Sequence, residues 1–172
     1  MACAISLLLS AELTDAVSGH WHRLADVGLS RSMLELGYPP HVTLAVYDDL
    51  DAKVAAAALD GVFRRVNRFE VTLTGIATFG PGSGVCYAAL APSPVLHRLH
   101  ETVLAATGGA CRPHYQSGHW TPHCTLATGL TDDQMVGAQD LLAQNWPIAG
   151  VFEAADLVEF APIVAIKRWA LA

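Results

Sequence analysis

Residues 38–46 read Tyr-Pro-Pro-His-Val-Thr-Leu-Ala-Val, and residues 120–128 read Trp-Thr-Pro-His-Cys-Thr-Leu-Ala-Thr. The two stretches align without a gap at an offset of 82 residues, the distance from His41 to His123. Tyr38 faces Trp120, Pro40 faces Pro122, Thr43 faces Thr125 and Leu44 faces Leu126. The match continues beyond the motifs: Asp51 faces Asp133, Val54 faces Val136 and Leu59 faces Leu141. A strand followed by a helix therefore occurs twice, which predicts two related lobes in one chain. In a strand, residues i and i+2 share a face. His41 and Thr43 thus point one way and Val42 and Leu44 the other, and His123 and Thr125 repeat this against Cys124 and Leu126. Each leading proline lacks a ladder donor and marks the mouth of its strand.

Around the two motifs, strands are expected over residues 2–9, 41–47, 69–78, 84–90, 123–128, 151–160 and 164–171. Helices are expected over 11–27 after a Ser10 cap, over 51–66, over 93–106 and over 131–145 after Thr131. The stretch 28–40, closing on Gly37-Tyr38-Pro39-Pro40, reads as loop. Adjacent strands mixed with helices point to an α+β fold.

The chain has 172 residues, 52% hydrophobic and 15% charged, which excludes disorder and fits one domain over 1–172. Such a length buries about 70% of its unfolded surface without a metal or disulfide. The longest uncharged stretch, Glu70 to Arg98, is broken by glycines and prolines and cannot span a membrane as a helix. The apolar opening has no preceding Lys or Arg and reads as a strand, so a cytoplasmic location is expected. The cysteines at 3, 86, 111 and 124 form no Cys-x-x-Cys and are expected as free, buried thiols. A formal charge of −6 argues against long nucleic acid as a partner but leaves a small nucleotide open. Nothing argues for an oligomer, so a monomer is expected.

Two imidazoles facing one cleft suit phosphoester chemistry. With ordinary values near 6.5, one can take a proton from the nucleophile while the other protonates the leaving oxygen. Threonine hydroxyls and backbone N–H groups can hold the non-bridging oxygens, and no metal or other cofactor is needed. The paired His-x-Thr-Leu motifs at 41–44 and 123–126, each led by proline, resemble the two-histidine phosphoesterase superfamily. Within it they are most similar to the bacterial 2′-5′ RNA ligase and RNA 2′,3′-cyclic phosphodiesterase group. The resemblance covers nearly the whole chain, including the hairpin that holds Phe79. It implies a bilobal fold of mainly antiparallel sheet, with helices outside and a central cleft. It also implies His41 and His123 as the acid/base pair and Thr43 and Thr125 as phosphate ligands. The expected reaction is hydrolysis of a small cyclic phosphodiester, such as a nucleoside 2′,3′-cyclic phosphate or an RNA-terminal cyclic phosphate. The alternatives are 2′-5′ ligation of RNA ends and nucleotide binding without turnover.

Tyr38, Trp120, Tyr87 and His119 are candidates to stack on a substrate or line its cleft, with Phe79 beside them. Arg112 is a candidate to steer an anion. Lys167 and Arg168 alternate faces on the last strand, so at most one looks into the cleft. Cys111, His114, His119, His123 and Cys124 have loose metal-ligand spacing, but His123 and Cys124 point to opposite faces of a strand and cannot both ligate, and no metal is expected there. His97 and His100 read as a solvated helix face, and His20 and His22 as surface residues.

Overall fold

The computed structural model describes residues 2–108 and 110–172. Its strands are β1 (Ala2–Leu9), β2 (His41–Tyr47), β3 (Phe69–Thr78), β4 (Cys86–Leu90), β5 (His123–Ala127), β6 (Ile148–Phe160) and β7 (Val164–Ala170). Its helices are α1 (Ala11–Asp26), α2 (Ser32–Leu36), α3 (Ala52–Phe63), α4 (Pro94–Thr107) and α5 (Asp132–Leu142). All pairings are antiparallel, in the order β1-β2-β5-β4-β3-β6-β7, with β1 also on β6. The long β6 serves both arms: Ile148–Phe152 pairs with β3, and Phe152–Phe160 pairs with β1. The arms meet again where β2 touches β5, at the single pair Val42↔Cys124. This α+β architecture is the one the alternation of elements predicts.

The repeat is visible in three dimensions. Val42 and Cys124 are equivalent positions of the two motifs, so a pseudo-two-fold axis passes between them. β1 lies beside β2 as β4 lies beside β5. In both pairs the register slips at the motif leucine: Ile5↔Ala45 is followed by Ser6↔Thr43, and Cys86↔Ala127 by Tyr87↔Thr125. Leu44 and Leu126 are thus matching bulged residues, and a bulge bends its strand and re-aims the neighbouring side chains. The burial patterns agree, with His and Thr half-exposed and the residues between and after them buried.

Capping explains where the helices begin. Asp51 accepts from the N–H groups of Lys53 and Val54 at the start of α3, and Thr131 with Gln134 closes a reciprocal capping box on α5. Ser10 stands at the head of α1 but makes no cap bond. Helix α2 falls in the stretch expected as loop; it ends on Gly37 in the left-handed region, the conformation glycine adopts without a Cβ clash. Its Ser32 hydroxyl accepts from the Thr128 N–H at 3.0 Å, tying it to the end of β5. Leu13, Val17, Trp21 and Leu24 of α1 and Leu96, Leu99 and Val103 of α4 are buried in the main core. All four cysteines are buried, and Cys86, Cys111 and Cys124 are free thiols. Among the described residues, no helix is long and apolar enough to cross a membrane.

Candidate active site

Both histidines open their strands, His41 on β2 and His123 on β5. Continuing the antiparallel register outward from Val42↔Cys124 sets His41 beside Thr125 and Thr43 beside His123. All four side chains lie on the face opposite Val42 and Cys124, which are wholly buried. The four polar side chains thus flank the one β2–β5 contact on a single face of the sheet, with His123 near enough to His41 for its charge to act there.

The imidazoles are held alike. His41 Nδ1 lies 2.8 Å from the Pro39 carbonyl, and His123 Nδ1 lies 2.8 Å from the Thr121 carbonyl. A carbonyl only accepts, so Nδ1 carries the proton in each ring and Nε2 is left to exchange one. Burial pushes both imidazoles below the ordinary histidine value. In His41 the Pro39 carbonyl opposes this, the nearby His123 adds to it and Asp156 opposes it. In His123 the Thr121 carbonyl opposes it.

The carbonyls of the motif threonines are also matched. Trp120 Nε1–H donates to Thr43 O at 3.0 Å, and Trp21 Nε1–H donates to Thr125 O at 3.1 Å. Each carbonyl immediately precedes a bulged leucine, where the ladder is interrupted. An indole supplies the partner that the bulge withholds.

The surroundings of the two imidazoles differ. His41 meets Tyr38 edge-on, with ring centroids 4.7 Å apart, and the Tyr38 hydroxyl donates to Asp156 Oδ2 at 3.0 Å. Burial and Asp156 push the Tyr38 phenol well above its ordinary value, so it remains a donor. Ser6 and Thr43 hydroxyls lie 3.4 Å apart. His123 instead touches an aromatic wall: Phe79 edge-on at 4.9 Å and Tyr87 at 5.3 Å, with Phe79 against Tyr87 at 4.5 Å. Phe79 remains 48% exposed.

The structure brings Tyr38, Tyr87 and Phe79 to the imidazoles. Trp120 is buried, stacked on His100 at 4.1 Å. His119 lies in the exposed turn before β5, its N–H bonded to Gln116 O. Arg112 pairs with Asp48 and sits over the Phe160 ring. Among the described residues, no three His, Cys, Asp or Glu side chains converge as a metal ligand set. Two expectations are corrected. His100 is not solvated: it is 2% exposed, with Nε2 on the Tyr115 carbonyl at 2.8 Å. His20 is likewise buried, stacked on Trp146. Both sit on the inward stripe of their helices. Sequence reasoning also passed over Ser6, Trp21 and Asp156; the polar residues at 6 and 156 interrupt apolar strands, and that interruption was the available signal.

The model of the 2′-5′ RNA ligase superfamily matches residues 14–159. The chain belongs to the 2′-5′ RNA ligase superfamily. Solved structures agree on the fold. TT0787 of Thermus thermophilus superposes with a TM-score of 0.69 at 17% identity, covering 99% of this chain and 98% of that one. A protein described as a phosphoesterase gives 0.63 at 19% identity, covering 99% and 98%. E. coli LigT complexed with 3′-AMP gives 0.62 at 20% identity, covering 98% and 97%. Among curated proteins, none matches the sequence. Members of this superfamily are phosphoesterases and RNA ligases, and the chain shares their two-armed antiparallel fold.

Proposed function

We propose that this protein hydrolyses a nucleoside 2′,3′-cyclic phosphate, or the same group at an RNA end, with His41 and His123 as general acid and base. The observation that carries the reading is the pair of imidazoles on matching bulged strands, each with Nδ1 pinned to a carbonyl and Nε2 free. One neutral Nε2 accepts a proton from water as its oxygen attacks phosphorus. The other, protonated, gives its proton to the 2′ or 3′ oxygen as the P–O bond breaks. The product is a monophosphate, and solvent restores the two protonation states. Thr43 and Thr125 donate to the non-bridging oxygens as charge builds there. The chemistry is complete with two imidazoles and needs no metal.

The nucleotide bound by E. coli LigT supports a small nucleotide as ligand. The charge of −6 favours hydrolysis over holding two RNA ends for ligation. The test is monophosphate release from the four nucleoside 2′,3′-cyclic phosphates, with EDTA present. Each of His41→Ala and His123→Ala should lower the rate about 10²–10⁴-fold. Wild-type rates in either variant would overturn the reading.

A further inference from the structure

The polar row that begins at Thr43 crosses four strands. Thr43 on β2 is opposite Ser6 on β1, Ser6 is opposite Asp156 on β6, and Asp156 is opposite Arg168 on β7. Asp156 is wholly buried, yet Arg168 grips it with two 2.7 Å bonds, Nε to Oδ1 and Nη2 to Oδ2. Tyr38 adds its hydroxyl to Oδ2. The Arg168 side chain itself is 56% exposed.

A structural role explains this poorly. Burying a carboxylate costs desolvation that an ion pair repays only in part, and an apolar residue would fill the site at least as well. The arrangement has a direction, however. The carboxylate lies beneath and the guanidinium above, so the positive end of the pair faces solvent on the histidine side of the sheet. The fork fixes one rotamer and leaves Nη1 and its hydrogens unspent. Arg168 is thus a preorganised anion receptor.

Its place says which anion. The Tyr38 ring stands between the His41 imidazole and Asp156. Drawn back over β6, the guanidinium lies two strand spacings, roughly 10 Å, from β2. That is too far for the phosphate both imidazoles reach, and within the span of one nucleotide. Resting on the reading that the histidines hold a phosphate, we propose that Arg168 binds a second phosphate of the same ligand, with Asp156 as its positioning residue. The preferred ligand then carries either a 5′-phosphomonoester or an internucleotide phosphodiester besides its terminal group.

Calorimetry with three probes tests this: adenosine 3′-monophosphate, adenosine 3′,5′-bisphosphate and the dinucleotide ApAp. Wild type should bind one or both of the last two at least tenfold tighter than the first, and which one identifies the second phosphate. Arg168→Ala should bring that ratio close to one, and Arg168→Lys should recover only part of it. Because Arg168→Ala strands a buried carboxylate, the double variant Asp156→Asn/Arg168→Gln is measured beside it, with folding checked by circular dichroism; it too should lose the ratio. Arg65→Ala, in the groove between α3 and α4, removes one charge elsewhere and should keep it. No preference in wild type, a ratio that survives in folded Arg168 variants, or an equal loss in Arg65→Ala would each overturn the inference. If adenosine 3′-monophosphate binds without preference, only this inference fails; if no probe binds, the histidine-site reading fails with it.

Discussion

At the scale of single residues, the site is two imidazoles with one tautomer and two settings. The pinned Nδ1 atoms make the rings interchangeable in geometry, while Tyr38 and Asp156 on one side and Phe79 and Tyr87 on the other make them unlike in field. Burial lowers both values. On the proposed mechanism the productive form of the free protein holds one proton on the pair, so it is populated around that lowered range and lost both below it, where both rings are protonated, and above it, where neither is. The kcat/KM profile should therefore be highest on the acid side of pH 6.5 and fall as pH rises through neutrality. A bound phosphate anion favours the imidazolium, so the kcat profile should sit at higher pH than that of kcat/KM. A kcat/KM optimum at or above pH 8 would contradict this assignment.

At the scale of elements, the bulges and their indoles set the aim of the motif side chains. Trp21→Phe and Trp120→Phe keep most of the packing but leave the Thr125 and Thr43 carbonyls unpaired. Each should cost about 1–3 kcal/mol in denaturant unfolding and lower turnover as well. Trp21 depends in turn on how α1 seats against β6. A Cβ at Gly150 would stand 3.0 Å from both Leu13 Cδ2 and Ser10 Oγ. Gly150→Ala should destabilise by about 1–3 kcal/mol, a loss of roughly 2–12 °C in Tm at this chain length. An unchanged Tm would show that α1 can shift without strain. The motif strands and the capped helices α3 and α5 were legible from the chain, because periodicity and capping are local signals. The bulges were not, since a register slip depends on the partner strand. The burial of His20 and His100 escaped because an imidazole on a helix looks the same in sequence whether it meets water or a tryptophan ring. Asp156 and Arg168 lie twelve residues apart, and only the β6–β7 register makes them partners.

At the scale of the whole molecule, several imidazoles are held below their ordinary value by burial. His20, His41, His100 and His123 all shift downward. The unfolded chain takes up these protons first as pH falls, so the stability they confer is fully present above about pH 6.5 and is lost below it. Thermal unfolding should show a lower Tm at pH 5 than at pH 7, and a Tm that rises over that range on acidification would contradict it.

The axis between Val42 and Cys124 has an evolutionary reading. Half of this chain, if it once folded alone, would have needed a second copy across that axis to bring two histidines together. Such a homodimer is isologous, and its imidazoles must share identical neighbours. Duplication and fusion lift that constraint. Once the halves are joined, a mutation can reach one histidine without reaching its twin. One ring could then acquire a carboxylate neighbourhood and the other an aromatic one, and the unlike roles proposed for them became available to selection.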